Sequence, residues 1–256
     1  MKKALKIKKI IIKTKKREES LGWNKVVSFL KESGVKCVKN SKLAEAAIII
    51  GGDGSILHWQ SRVDCPLLGI KERKEGVGYY TKASLGDFQK KIVKILEGRE
   101  NKDYYIHKLS MVEARLNGKA LHPALNEYLI SSGYARKMFN CIIKIGKKNF
   151  FERNSGIIAY TPTGSNAFAG SAHAERMEWN SEKIGLAALA PYSGKLKKGG
   201  MFFDSEKILI KCLDDKGEIC IDGQKSRLYS LRRGDVVTIQ KSKEKAKIIG
   251  FSPSFV

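Results

Sequence analysis

The chain has 256 residues, a length that suits one large domain or two modest ones. Hydrophobic residues make up 42% of the sequence, so a buried core is expected. No apolar run approaches the ~20 residues needed to cross a bilayer, and the lysine-broken first segment lacks the cleavage site of a secretory signal. We therefore expect a cytoplasmic protein without a membrane-spanning segment.

The formal net charge of +23 creates a positive field around the protein. Three interpretations are open: a lysine-rich surface with no specific role, steering of a nucleotide or polyphosphate substrate, and binding of nucleic acid. Basic residues are spread along the chain, with clusters at 13–17, 195–198 and 241–247, and no zinc-finger or RNP-type motif accompanies them. Binding of nucleic acid is therefore the least favoured of the three interpretations.

The five cysteines are scattered and include no CxxC pair or spacing suited to zinc. Free cysteines usually behave as small buried hydrophobes in a reducing compartment. We therefore expect buried thiols and no protein-ligated metal centre.

Strand and helix patterns alternate over the first hundred residues. Strands are predicted at 6–12, 35–38, 46–50 and 66–70, and helices at 21–33, 56–61 and 85–96. The run 46–50 is apolar throughout, which is typical of a parallel strand buried on both faces. Residues 1–100 are thus predicted to form an α/β domain with a mostly parallel sheet.

The pattern changes after Gly98, which is a suitable helix stop. Asn117-Gly118 predicts a type I′ hairpin turn between strands at 108–116 and 119–121. Further strands are predicted at 141–145, 157–160, 207–212, 218–222 and 236–240, with one helix at 166–177. Residues 101–256 are therefore predicted to be a β-rich domain, with the last residues free to pack back on the first domain.

The turn Gly51-Gly-Asp-Gly-Ser55 directly follows the apolar run 46–50. Glycines allow a backbone to approach a phosphate closely and to adopt positive φ angles. The carboxylate of Asp53 could accept a hydroxyl proton or help to hold Mg²⁺. Since Gly-Asp-Gly is also common in ordinary loops, this motif alone leaves both interpretations open.

A second turn, Thr161-Pro-Thr-Gly-Ser-Asn-Ala-Phe168, follows another strand-like run. Pro162 and Gly164 favour a turn, and Ser165 and Asn166 are good helix caps. We predict an anion-binding helix N-terminus here, with Phe168 available to pack on a ring. Two glycine-bearing turns indicate a site for two phosphorylated molecules.

Asn126 and Glu127 precede the apolar run 128–130. Their side chains could hydrogen-bond ribose hydroxyls or an adenine edge, because a carboxylate accepts from two O–H groups at once. The alternative is that they are ordinary polar residues at a strand edge.

Four motifs follow one another in the order found in the NAD kinases, and each resembles the family's motif: the turn at 51–55, Asn126-Glu127, the turn at 161–168 and Ile221-Asp-Gly-Gln224. The resemblance extends from Lys6 to about Ile249. It implies an α/β N-terminal domain, a β-sandwich-like C-terminal domain and a homodimer or homotetramer. It also implies phosphorylation of the 2′-hydroxyl of the adenosine ribose of NAD, with ATP or inorganic polyphosphate as donor and Mg²⁺ or another divalent cation.

The resemblance also suggests a role for each motif. Asp53 would be the general base. The donor phosphates would be bound by Gly51, Gly52, Gly54 and Ser55. NAD would be bound by Asn126, Glu127, Thr161, Ser165, Asn166, Ala167, Phe168, Ser171 and Gln224, with Ser171 near the nicotinamide end.

Four positions depart from the family pattern: Lys71 stands for Asn, Ser155 for Asp, His173 for Gly and Tyr192 for His. They leave two alternatives open. One is a catalytically altered relative that binds a dinucleotide or nucleic acid, and the other is a kinase with a different nucleotide-like acceptor, such as NADH. The basic residues expected near the site favour polyphosphate as a donor: Lys71, Arg73, Lys74, Lys195, Lys197 and Lys198.

Overall fold

The computed structural model describes residues 6–15, 20–73, 75–134, 136–197, 200–204 and 206–255. The chain divides into two compact units. The first comprises Met1–Lys108 with Ala246–Val256, and the second is Leu109–Lys245. The predicted division after residue 100 lies before the boundary at Lys108, in the connection between a helix that ends at Glu97 and a strand that begins at Tyr105.

The first unit is an α/β layer. Its helices and strands are β1 (Lys9–Thr14), α1 (Leu21–Glu32), β2 (Lys36–Cys37), β3 (Ala46–Ile50), α2 (Asp53–Trp59), β4 (Leu67–Lys71), β5 (Ala83–Ser84) and α3 (Phe88–Glu97). Strands β2, β1, β3 and β4 are parallel neighbours in that order, and β5 pairs in parallel with the end of β4. The predicted mostly parallel sheet is confirmed.

Strand β3 shows why this sheet forms. All five of its residues are buried, and Ile48 pairs with Ile12 of β1 and Leu68 of β4. One face of the sheet packs against α1 and α3, through side chains such as Val26 and Ile92. Since β-branched residues fill such a doubly covered strand well, the predicted strand matches β3 residue for residue.

The second unit is β-rich. Its elements are β6 (Tyr105–Leu116, which starts in the first unit), β7 (Lys119–Ala120), β8 (Glu127–Ser131), β9 (Phe139–Ile145), β10 (Lys148–Asn154), β11 (Gly156–Tyr160), α4 (Phe168–Ser171), β12 (Ile184–Leu189), β13 (Met201–Phe203), β14 (Ile208–Cys212), β15 (Gly217–Ile221), β16 (Leu228–Leu231) and β17 (Val236–Gly250, which continues into the first unit).

Two sheets share one core in the second unit, as the predicted β-sandwich-like fold requires. One runs β10-β9-β14-β17 and the other β13-β12-β11-β8-β15-β16. Buried side chains from both meet in a single hydrophobic cluster, for example Ile143 and Val237 from the first sheet and Ile130 and Ile219 from the second. Such a cluster is the expected core of two face-packed sheets.

The predicted hairpin is confirmed at Asn117-Gly118. Both residues have positive φ angles, 50° and 84°, as a type I′ turn requires. Arg115 pairs with Ala120 and Leu116 pairs with Lys119 across it.

The predicted helix at 166–177 is wrong, because α4 ends at Ser171. His173 adopts a φ of 57°, and its N–H donates to Gly170 while the Ala174 N–H donates to Ala169. This pair of hydrogen bonds around a left-handed residue ends a helix. Glycine usually occupies such a position, so the histidine in the sequence did not indicate that the helix would end here. Among the described residues, no helix is both long enough and apolar enough to span a membrane.

Candidate active site

The turn at 51–55 joins β3 to α2 in the first unit. Gly51 has a φ of 142°, and a Cβ there would lie 2.3 Å from the Ser55 Oγ. Its N–H already donates to the Ile70 carbonyl, at 3.0 Å. Gly52 and Gly54 are exposed, and a Cβ on either would meet no atom within 4 Å. Gly51 and Ser55 therefore shape the turn. The exposed Gly52 and Gly54 leave its backbone open to a ligand.

Three consecutive backbone N–H groups hold the carboxylate of Asp53. Its Oδ2 accepts from Tyr79 at 2.8 Å, and its Oδ1 accepts from Tyr80 at 2.8 Å and from Thr81 at 3.2 Å. A carboxylate oxygen can accept two hydrogen bonds, so in the described part of the chain Oδ2 keeps one acceptor position. Asp53 is half-buried. It is thus fixed in place and still accessible to a hydroxyl group.

The role of residues 79–81 was missing from the sequence interpretation. The one local signal is the preceding pair Gly76 and Gly78, whose φ angles of 90° and 72° bend the chain after β4. Gly69 in β4 also makes room, since a Cβ there would lie 3.0 Å from the Thr81 Cα. These glycines allow the segment to turn back onto Asp53.

In the second unit, the buried carboxylate of Asp222 organises the segment 125–127. It accepts N–H groups from Leu125 at 3.1 Å, Asn126 at 2.7 Å and Glu127 at 3.2 Å. The Nη1 of Arg227 lies 3.7 Å from its Oδ2, and both side chains are fully buried. Asp222 is therefore a structural anchor for Asn126 and Glu127, a role that its position in the sequence did not reveal.

Gln224, which the resemblance assigns to NAD, lies inside this same turn. Its side chain is buried, and its Nε2 donates to the Asp222 carbonyl at 3.2 Å. The structure therefore places it with the anchor, and direct contact with NAD stays a prediction.

Glu127 is the buried carboxyl group with the most unusual electrostatics in the candidate site. Burial raises its pKa to about 8, the charge of Asp222 adds to the shift, and a hydrogen bond from the Phe168 N–H opposes it. Among the described residues its Oε2 has no hydrogen-bond partner. An unpaired buried oxygen is costly, and a ligand hydroxyl would satisfy it.

The stability of the Glu127→Gln variant should depend less on pH than that of the wild type, because the variant lacks the titrating carboxyl group. The folded pKa of about 8 exceeds the ordinary value of 4.5, so in that window the folded protein keeps a proton that the unfolded chain releases. Glu127 should therefore lower the free energy of unfolding by roughly 1.4 kcal/mol per unit as pH rises through the window, and the variant should lack this contribution. Urea unfolding across the window checks this, with the exposed Glu244→Gln as control. Equal slopes in all three proteins would contradict the pKa assignment.

The turn at 161–165 packs directly on segment 125–127. The hydroxyls of Thr161 and Thr163 donate to the Leu125 carbonyl at 2.5 and 3.1 Å. A Cβ on Gly164 would lie 2.1 Å from the Asn126 carbonyl oxygen, so only glycine permits this approach. The structure thus brings together two motifs that are separated by more than thirty residues in the sequence.

The structure shows the surroundings of the hydroxyls in this turn and corrects the expected helix. Thr161 and Ser165 are fully buried. The Ser165 Oγ donates to Pro162 at 2.6 Å and accepts the Met177 N–H at 3.0 Å, so these hydroxyls build the turn, and their contact with NAD stays a prediction. In addition, α4 has four residues and no side-chain cap, too short for the predicted anion-binding helix N-terminus.

The accessible part of this motif is its second half. Asn166, Phe168 and Ser171 are exposed, and Ala167 is half-buried. Next to them is a cavity of about 380 Å³, lined by 171–174, 187–191 and Leu196. Its lining is mainly apolar, with the Ser171 hydroxyl and the His173 imidazole as polar groups. Of the residues predicted to bind NAD, Ser171 thus lines this cavity, and Asn166, Ala167 and Phe168 are accessible on the preceding part of the motif.

The basic residues expected near the site are only partly described. Lys71 donates from its Nζ to the Gly76 carbonyl at 2.6 Å, and the Lys195 Nζ lies 5.4 Å from the centre of the Phe150 ring. Arg73 is exposed. Lys74, Lys198 and the side chain of Lys197 lie outside the described residues.

The side chains present fit a Mg²⁺ ion that is held mainly by substrate phosphates. Within the described ranges, no three His, Cys, Asp or Glu side chains form a metal-binding group. Mg²⁺ typically needs one or two carboxylates, with phosphates and water as its other ligands. Asp53, at an open glycine turn, could supply such a carboxylate.

Comparisons with known proteins agree with this geometry. Residues 125–251 match the model of the ATP-NAD kinase C-terminal domain. The NAD kinase of Methanosarcina acetivorans is 31% identical over 214 residues, covering 82% of this chain and 75% of that protein. The NAD kinase of Thermoplasma acidophilum is 28% identical over 90% of this chain and 82% of its own length.

Two solved structures share the fold. An NAD kinase from Archaeoglobus fulgidus in complex with ATP superposes with a TM-score of 0.76 at 23% identity, covering 95% of this chain and 93% of its own. Yeast NADH kinase complexed with NADH gives 0.80 at 17% identity, covering 96% and 84%. These two structures show the fold, and the sequence matches show that the chain belongs to the NAD kinase family.

Proposed function

We propose that this chain transfers a phosphoryl group to the 2′-hydroxyl of the adenosine ribose of NAD, forming NADP. The donor is ATP or inorganic polyphosphate. The observation that carries the proposal is the Asp53 carboxylate, held by three N–H groups beside the open backbone of Gly52 and Gly54. A fixed base next to a phosphate-accessible turn is what phosphoryl transfer to an alcohol requires.

Asp53 acts as the general base in this account. The acceptor hydroxyl hydrogen-bonds to the remaining acceptor position of Oδ2 and passes its proton there as its oxygen attacks the terminal phosphorus of the donor. The bond from that phosphorus to the bridging oxygen breaks, and ADP or the shortened polyphosphate leaves. Because the three N–H groups fix the carboxylate, no reorganisation is needed when the proton moves. A bound Mg²⁺ would neutralise charge on the donor phosphates.

Glu127 and Asn126 hold the adenosine part of NAD. The unpaired Oε2 of Glu127 is the proposed partner of a ribose hydroxyl. With a pKa of about 8, Glu127 can donate as well as accept a hydrogen bond at neutral pH. The exposed Phe168 ring offers a stacking surface, and Asn166, Ala167 and Ser171 complete the proposed contacts.

The direct test is to incubate purified protein with Mg²⁺, NAD and either ATP or polyphosphate, and to detect NADP with an NADP-specific dehydrogenase. NADP formation supports the proposal. NAD binding without NADP formation from either donor would instead favour a dinucleotide-binding relative. A homodimer or homotetramer is part of the proposal, and light scattering would measure it.

If polyphosphate is a donor, its rate of use should depend on the salt concentration. If the net charge of +23 steers a long polyanion, kcat/KM for polyphosphate should fall steeply as ionic strength rises, and more steeply than for ATP. Rates are measured with both donors over a NaCl series, with sucrose of equal osmolality as the control. If kcat/KM depends equally weakly on salt for both donors, the net charge does not steer polyphosphate to the site.

A second candidate is the same chemistry with NADH as acceptor. The observation that favours it is the apolar cavity beside Ser171, whose polar lining includes His173 at a family glycine position. A neutral dihydronicotinamide ring would suit such a lining better than the cationic ring of NAD. Comparing kcat/KM for NAD and NADH decides between them.

A further inference from the structure

The ring of Phe255 is buried against the segment that holds Asp53. Phe255 is 2% exposed. Its ring centre lies 5.4 Å from that of Tyr79, 6.0 Å from Tyr80 and 5.3 Å from His107. Gly250 lets the chain reach this place, since a Cβ there would lie 2.7 Å from the His107 Nε2. Phe255 thus completes an aromatic cluster within the first unit.

Lys82 also contacts Phe255. Its Nζ donates to the Phe255 carbonyl at 2.6 Å and lies 4.0 Å from the centre of the Phe255 ring. Burial lowers the pKa of Lys82, and the nearby Asp53 carboxylate opposes that shift. The Lys91 Nζ in turn donates to the Lys82 carbonyl. Phe255 is therefore bound through both its backbone and its ring.

Residues 79–82 connect this contact to Asp53. Tyr79 and Tyr80 present their rings to Phe255 and their N–H groups to the Asp53 carboxylate. The segment follows two glycines with positive φ, and it lies between β4 and β5 without regular structure. Such a loop has many alternative conformations, so an external contact is needed to hold one of them.

We propose that Phe255 and Lys82 form a clasp that positions Asp53, by holding the N–H groups of 79–81 in the conformation that grips its carboxylate. In this proposal Phe255 is a positioning residue, which acts on Asp53 through the segment 79–81. The catalytic part of the inference rests on the proposed function of Asp53. The conformational part stands independently of it.

The test compares Phe255→Ala with wild type by kinetics and by amide hydrogen exchange. We expect kcat to fall about 10- to 100-fold, because misplacing a catalytic group by about 1 Å has effects of this size. KM for NAD and for ATP should change little. Exchange of the Tyr79, Tyr80 and Thr81 amides should accelerate by about tenfold, while amides of β3 stay protected. Phe255→Leu, which keeps much of the apolar volume, should recover part of both effects.

Phe88→Ala is the matched control, because Phe88 is a buried aromatic of the same unit that packs on Phe29. It should lower stability without selectively exposing amides 79–81. If Phe255→Ala does not fold, Phe255→Leu carries the same two measurements. Unchanged exchange at 79–81 in a folded variant would overturn the clasp, and faster exchange with unchanged kcat would overturn its catalytic role. If wild type makes no NADP, the proposed function fails, and exchange alone decides the clasp.

Discussion

Asp53→Asn should lower kcat for NADP formation by about 100- to 10,000-fold, the range for losing a general base. The amide group cannot take up the hydroxyl proton. Its oxygen can still accept two of the three N–H groups from the segment 79–81, whereas its NH2 group cannot accept the third. The fold and the KM for NAD should therefore be largely retained. Initial rates of NADP formation at varied NAD concentration measure kcat and KM, and calorimetry measures the affinity for NAD.

The matched control for this variant is Asp64→Asn. Asp64 is exposed, lies in the same unit and carries the same charge, so its replacement removes the charge without touching the turn. It should leave kcat unchanged. Turnover by Asp53→Asn at the wild-type rate would show that Asp53 is not the base.

Asp222→Ala should be among the most destabilising single changes in the second unit. It removes the acceptor of three buried N–H groups and the carboxylate that pairs with the fully buried Arg227. Removing one partner of a buried ion pair typically costs about 3–5 kcal/mol of unfolding free energy. NAD affinity should also fall, because Asn126 and Glu127 lose their support.

Urea unfolding measures this effect, with Asp215→Ala as the control. Asp215 also pairs with an arginine, Arg233, but both side chains are largely exposed, so the loss of their ion pair should hardly change stability. Equal stability of the two variants would contradict the anchoring role of Asp222.

Local patterns in the sequence were enough to predict much of the fold. Strand β3 and the Asn117-Gly118 hairpin depend on neighbouring residues, and both were predicted correctly. Strand β10 was missed, because its buried face carries Glu152 and Asn154, which read as polar residues in sequence. Their burial depends on distant contacts, such as the N–H groups of Lys195 and Leu196 that donate to Glu152.

The candidate site divides in the same way. The motifs pointed to Asp53, Glu127 and the turn at 161–168, because these residue types have a recognisable chemistry. They did not reveal that Tyr79–Thr81 hold Asp53 or that Asp222 holds 125–127, since these partners are separated by more than twenty residues. They also did not separate the buried hydroxyl of Ser165 from the exposed side chain of Asn166.

The most direct test of the central claim is the position of the new phosphate in the product. NAD and ATP are incubated with wild type and with Asp53→Asn, and the product is analysed by proton–phosphorus NMR correlation. We expect a phosphate on the adenosine 2′-oxygen, formed by the wild type and not by the variant. A phosphate elsewhere on the dinucleotide, or equal product from both proteins, would contradict the account.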